Sequence, residues 1–166
     1  TLGIPEFGTN FVRGMLKEAY PTKFSEMTRI SGLSHGTDVW NNNARDLIAD
    51  KTANFDEIIS TRDDIMNSLI QKGLDKKESF QIMEIVRKGR SLSEDQLDYM
   101  RENGVPEWYI ESCLKIKYLF PKAHAVAYCL MSYRIAYYKV YYPAAFYATY
   151  FNTKLSDFVY SIIING

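Results

Sequence analysis

Residues 93–143 read SEDQLDYMRENGVPEWYIESCLKIKYLFPKAHAVAYCLMSYRIAYYKVYYP, and the punctuation of this stretch decides the fold class. Ser93 followed by Gln96 is a capping box, in which each side chain bonds the other residue's backbone N–H at a helix start. Gly104 is placed to close that short helix, and Pro106 falls at the first position of the next, where a missing N–H costs nothing. This second helix is expected over residues 108–119, carrying Lys115 and Lys117, until Pro121 interrupts it. From Lys122 to about Tyr142 the apolar pattern is helical again. Pro143 breaks it, and residues 144–152 resume it.

The same signals continue toward the N-terminus. Thr9 is expected to cap a helix running to about Ala19, with Phe11, Met15 and Leu16 on one face, before Pro21 stops it. Ser25 is expected to cap a shorter helix. Ser31-Gly32-Leu33-Ser34-His35-Gly36-Thr37 is rich in glycine and hydroxyls and reads as a donor-rich turn, after which Thr37 or Asp38 caps a helix carrying Trp40, Ala44, Leu47 and Ile48. Ser60 or Thr61 caps another, with Ile65, Leu69 and Ile70 facing inward and Gly73 as its left-handed stop. Asp75 starts the next, in which Phe80, Met83 and Val86 are apolar and Arg87-Lys88-Gly89-Arg90 close the helix. Strand-length alternation bounded by hairpin signals does not occur. The expectation is an all-α, irregular multi-helix fold of about seven to nine helices.

Of 166 residues, 46% are hydrophobic and 14% aromatic, and 20 Lys and Arg oppose 20 Asp and Glu. That supplies a core and is too balanced for a disordered tail. Zero net charge excludes a uniformly basic coat, yet the charge is unevenly spread. Residues 1–109 carry 14 basic and 18 acidic side chains, residues 110–154 carry 6 and 1, and Asp157 is the remaining charge. Ten of the 13 tyrosines lie between Tyr109 and Tyr150, and all of these but Tyr109 are inside the basic stretch. Cys113 and Cys129, with two histidines in the chain, suggest neither a disulfide framework nor a zinc site and read as buried thiols. No apolar run reaches the ~18 residues of a membrane span, and a soluble cytoplasmic protein is expected. The opening Thr1-Leu2-Gly3 and the apolar close at Ile162-Ile163-Ile164 read as the ends of a piece of something longer.

Cations interleaved with aromatic rings suit a ligand that has phosphates and a flat base, because charge neutralises the one and rings stack on the other. If Pro121 opens a helix, Lys122 and His124 lie in its first turn, where unpaired N–H groups also attract anions. Tyr118 and Tyr128 flank them. The competing readings are structural. Tyr133, Tyr137 and Tyr141 at helical spacing suit a packed stripe, Lys139 a solvated head, His124 a core or surface histidine, and Arg62 a helix-start arginine paired with Asp63 and Asp64. Those two aspartates point about 100° apart on a helix and serve its dipole rather than a metal. Arg87, Lys88 and Arg90 suit either a helix C-terminus or phosphate contacts. No P-loop, nucleophile elbow or dinucleotide glycine fingerprint is present.

The run Phe120-Pro121-Lys122-Ala123-His124-Ala125-Val126-Ala127-Tyr128, followed by Ser132-Tyr133-Arg134-Ile135-Ala136-Tyr137 and Tyr142-Pro143, resembles the Phe-x-Lys-x-His-x-x-Ala-Tyr signature of C-family DNA polymerase III alpha subunits. Thr1-Leu2-Gly3-Ile4-Pro5-Glu6-Phe7-Gly8-Thr9, Ile30-Ser31-Gly32-Leu33-Ser34-His35-Gly36-Thr37-Asp38-Val39-Trp40 and Arg62-Asp63-Asp64-Ile65-Met66 are similar to its PolC-type branch. The sequence departs from that pattern at Asn41-Asn42-Asn43, where a glycine is expected. The resemblance implies the fingers subdomain of a replicative DNA-directed DNA polymerase over residues 1–151, with 152–166 leading to a further domain.

It further implies roles residue by residue. Arg62, Lys122 and His124 are candidates for the triphosphate of an incoming deoxynucleoside triphosphate, with His124 also a proton donor to the departing pyrophosphate. Tyr118 and Ser31 are candidates for the base side of the pocket, His35 and Tyr128 for its periphery, and Arg87, Lys88 and Arg90 for phosphates of template-primer DNA. Mg²⁺ belongs to palm aspartates outside this chain, so the chain alone is expected to be inactive. Its partners are nucleotide, DNA and the rest of the polymerase and replisome, with no membrane. The alternatives are a stand-alone helical module for single-stranded nucleic acid and a structural, partner-binding helical domain.

Overall fold

The structure, a computed structural model, describes residues 1–154. Asp157 and the Ile162-Ile163-Ile164 close lie outside the described residues, as does most of the expected C-terminal segment. Among the described residues there are nine α-helices and no strand: α1 Asn10–Ala19, α2 Phe24–His35, α3 Arg45–Ala49, α4 Arg62–Gln71, α5 Lys76–Arg87, α6 Glu94–Glu102, α7 Glu107–Lys115, α8 Lys122–Tyr141 and α9 Pro143–Thr153. None is long and apolar enough to cross a membrane.

Local chemistry explains most boundaries. The Thr9 hydroxyl accepts from Val12 N–H, Asp75 accepts from Lys77 and Glu78 N–H, and Ser93 and Gln96 form the reciprocal pair. Gly73 follows α4 at φ +95°, and Pro121 and Pro143 start α8 and α9. Pro106 stands one residue earlier than expected, as the cap of α7 rather than its first residue.

Four expected elements differ, most of them for a tertiary reason. The run Ser31 to His35 is not a turn but the last part of α2, whose cap is Lys23 rather than Ser25. Its glycine serves packing, since a Cβ on Gly32 would lie 2.6 Å from the Ser60 carbonyl oxygen. The helix expected after Asp38 breaks at Asn41, Asn42 and Asn43 and resumes only as α3. Asn42 has φ +57°, the left-handed conformation that suits glycine best and asparagine next. Buried Asn43 donates to the carbonyls of Asp38 and Ser112, pinning the break. The long helix expected to reach Leu119 ends at Lys115, because residues 116–119 run extended: Lys117 N–H bonds the Thr37 carbonyl, Thr37 N–H bonds Tyr118, and Leu119 N–H bonds Arg87.

The faces also need correction. Phe11 and Phe80 are exposed, and Val12 and Ile82 take the inward positions. Ile70 is only partly buried. Tyr133, Tyr137 and Tyr141 are not packed but stand outward at 65%, 49% and 66% exposure. Lys139 is not a free solvated head, because its ammonium bonds the Leu2 carbonyl and lies 5.8 Å and 5.6 Å from the Phe146 and Tyr147 rings.

The core runs through α2, α4, α5, α6 and α7, where Ile30, Leu33, Ile65, Leu69, Ile82, Met100 and Ile110 are each at most 1% exposed. Burying a side chain of this size stabilises by about 1.5–3 kcal/mol. α8 is attached differently. It lies on α2 through the small buried residues Ala125, Cys129 and Ser132, which allow close approach, and the Ser132 hydroxyl donates to Pro5 carbonyl at 2.8 Å.

Candidate functional site

The segment 116–121, which leads into α8, organises the site. Two glycines admit it: a Cβ on Gly89 would lie 2.4 Å from the Lys117 carbonyl oxygen, and one on Gly36 would lie 3.0 Å from that of Tyr118. At its far end the Phe120 carbonyl accepts the Arg62 N–H at 3.2 Å, and the Lys122 N–H donates to Asp63 Oδ2 at 2.8 Å. The first turns of α4 and α8 therefore meet. Pro121 has no N–H and Ala125 N–H bonds Pro121, which leaves the Ala123 and His124 N–H groups of the first turn without helical partners.

Around this junction the expected residues gather. Arg62 begins α4 with its Nε 4.0 Å from Asp63, so it is only loosely held. Lys122 Nζ donates to Asp64 Oδ1 at 3.1 Å. His124 is exposed, 5.8 Å from the Phe120 ring. Phe120 is the centre of an aromatic group, stacked on Tyr128 at 6.0 Å and tilted against His35 at 4.7 Å. His35 is in turn hydrogen-bonded through Nε2 to the Glu6 carboxylate, which ties the N-terminal loop to the end of α2. Tyr118 presents a ring 42% exposed from the extended segment.

Other expected residues are placed less simply. Ser31 is buried at 1% exposure, and its hydroxyl has no hydrogen-bond partner among the described residues. Arg87 and Lys88 both reach Glu84: the guanidinium grips it through two nitrogens, and Lys88 Nζ sits 3.1 Å away. These hydrogen bonds hold the Glu84 carboxyl down to about 2. Arg90 is exposed. Arg87 stands beside the segment that carries Tyr118, since it supplies the carbonyl that Leu119 bonds, and Gly89, between Lys88 and Arg90 in the chain, packs against Lys117.

The family model for the bacterial DNA polymerase III alpha subunit finger domain matches residues 1–105. The chain belongs to that finger-domain family. Over all 166 residues it is 61% identical to the DNA polymerase III PolC-type of Caldanaerobacter subterraneus subsp. tengcongensis, 60% to that of Thermotoga maritima and 59% to that of Listeria welshimeri. It spans 12% of the length of each of these relatives. In this finger-domain chain the α4–α8 junction joins Arg62, inside the matched region, to Lys122 and His124 beyond it.

Two further residues contribute to the junction. Arg29 of α2 reaches the carbonyls of Asp56 and Ile58 and lies 3.8 Å from Asp64. Asp64 serves the α4 dipole from the first turn, and it also accepts from Ser60 and Thr61. Burial opposes its charge, yet the Ser60 hydroxyl, Arg29, Lys122 and the Thr61 N–H together hold its carboxyl below the ordinary range. The Asp64 bonds to Ser60 and Thr61 are local, but spacing along the chain carries no signal for Arg29 or for the Asp64–Lys122 pair, whose partners lie 27 to 58 residues away. Among the described residues no three His, Cys, Asp or Glu side chains gather as a metal group. Asp63 and Asp64 face cations and N–H groups, so these residues do not fit a Mg²⁺ site. The Cys113 thiol is buried and pushed up to about 12, in keeping with a structural role.

Proposed function

We propose that this chain is the nucleotide-handling part of the fingers of a replicative DNA-directed DNA polymerase, with residues 1–151 forming the subdomain. The observation that carries this reading is the meeting of the α4 and α8 first turns, which brings Arg62, Lys122 and His124 together beside the rings of Phe120 and Tyr128. Cations and two outward N–H groups in one place suit a triphosphate, whose charge they neutralise. Stabilising negative charge that builds on a leaving pyrophosphate favours fixed cations, and His124, as an exposed imidazole, is in a position to supply a proton there. Tyr118 serves the base side. Ser31 is buried on the inner face of α2, so its part is to shape that side of the pocket, and any direct base contact requires its uncovering. His35 and Tyr128 close the periphery, and Arg87, Lys88 and Arg90 hold template-primer phosphates, the first two after release from Glu84. Phosphoryl transfer by the whole polymerase draws its metal ions from carboxylates elsewhere, so the isolated chain incorporates no nucleotide.

The exposed Tyr133, Tyr137 and Tyr141 favour a second reading, a module that stacks single-stranded nucleic acid. Titrating the chain with a deoxynucleoside triphosphate and with single-stranded DNA separates the two. Saturable binding of the triphosphate supports the fingers reading. Tight, salt-sensitive DNA binding without nucleotide binding contradicts it.

A further inference from the structure

Asp64 differs from every other carboxylate around the junction in how completely its acceptor sites are used. Its side chain is 11% exposed. Oδ2 accepts the Ser60 hydroxyl at 2.6 Å, the Ser60 N–H at 3.1 Å and the Thr61 N–H at 2.9 Å, with Arg29 Nη1 at 3.8 Å. Oδ1 is left for Lys122 Nζ at 3.1 Å. Asp63, by comparison, is half-exposed and bonds the Lys122 backbone rather than its side chain.

A lysine amine sits on a flexible four-carbon stem and has three donors. The Lys122 side chain is 48% exposed, so without a fixed partner its ammonium samples many positions. Asp64 is immobilised by α4's own cap and by Arg29 of α2, and it engages one donor while the other two remain for a ligand. We propose that Asp64 is a positioning residue, which holds the Lys122 ammonium at the mouth of the α4–α8 junction so that it meets a nucleotide phosphate already oriented. This inference rests on Lys122 being a triphosphate contact. It adds that α2, through Arg29, and α4, through its cap, set where that contact stands.

The test is a double-mutant cycle in the full-length polymerase that carries this segment. Asp64→Asn keeps an oxygen for the Ser60 and Thr61 N–H groups and removes the charge that draws Lys122. Alone it is expected to raise KM for deoxynucleoside triphosphate by about 5- to 10-fold with kcat within about 2-fold. In a Lys122→Ala background it is expected to change KM by less than about 2-fold, because residues acting through one another do not add. Independent, multiplying effects overturn the positioning role, as does an unchanged KM in Asp64→Asn beside a raised one in Lys122→Ala. An unchanged KM in Lys122→Ala itself instead overturns the nucleotide reading of Lys122. If Asp64→Asn does not fold, Ser60→Ala loosens Asp64 with its charge intact, and must raise KM in the same direction only while Lys122 is present. No KM change in Ser60→Ala then overturns the proposal.

Discussion

At its start α8 places Lys122, His124 and Tyr128 against Phe120, His35 and the Asp63–Asp64 corner of α4. Along its second half the same residue types recur, yet Tyr133, Tyr137, Tyr138 and Tyr141 stand 49–66% exposed and Arg134 lies among them in solvent. Composition makes the two halves alike, and both contribute to the basic, tyrosine-rich stretch. What separates them is attachment. The first half is fastened by hydrogen bonds between elements far apart in the chain, so its cations have defined positions. The second touches the body through Ser132, the partly buried Ile135 and Ala136, and a contact from Lys139 to the N-terminal loop.

Substitutions should divide along that line. Gly89→Ala meets both a carbonyl oxygen at 2.4 Å and φ +63°, and it presses on the segment that feeds the start of α8. A loss of about 2–4 kcal/mol is expected in denaturant unfolding. Tyr137→Ser, on the outward half, is expected to change the same measurement by no more than about 0.5 kcal/mol. Equal losses would erase the distinction.

A smaller effect belongs to acid. Because Asp64 is held below its ordinary value of 3.8, its contribution to stability is complete above that value and is lost as pH falls through the lower, folded value. Unfolding free energy is therefore expected to be insensitive to this group near neutrality and to decline below about pH 4. Asp64→Asn should flatten that acid limb, and an unaltered limb would mean that the carboxylate contributes little to the junction.

How far the molecule could be read from its sequence follows the range of the forces involved. Thr9, Asp75, Ser93, Gly73, Pro121 and Pro143 act on their own neighbours within four residues, and each marks the boundary expected of it. Gly32 and the hydroxyls around it look like a turn until Ser60 is brought against them. Residues 116–119 look helical until Thr37 and Arg87 take their backbone groups. Phe11, beside Val12, shows that an apolar residue next to a second apolar residue does not say which faces inward.

The candidate site divides in the same way. Arg62, Lys122 and His124 were recognisable because motifs mark them, and Lys122 and His124 needed only Pro121 to place them in a first turn. Arg29 and the second role of Asp64 arise from α2, α4 and α8 meeting, which no local pattern encodes. Phe120 was visible inside its motif, but its place at the centre of three other rings required the fold.

The most direct test compares the two halves of α8 in one assay. In the full-length polymerase, Lys122→Ala is expected to raise the apparent KM for deoxynucleoside triphosphate, or depress the rate, by about 10-fold or more, as for the loss of a charge-assisted contact. Arg134→Ala, also the removal of a cation from α8, is expected to stay within about 2-fold. Unchanged kinetics for Lys122→Ala, or equal losses for both, would contradict the claim that the α4–α8 junction is where the nucleotide's phosphates are held.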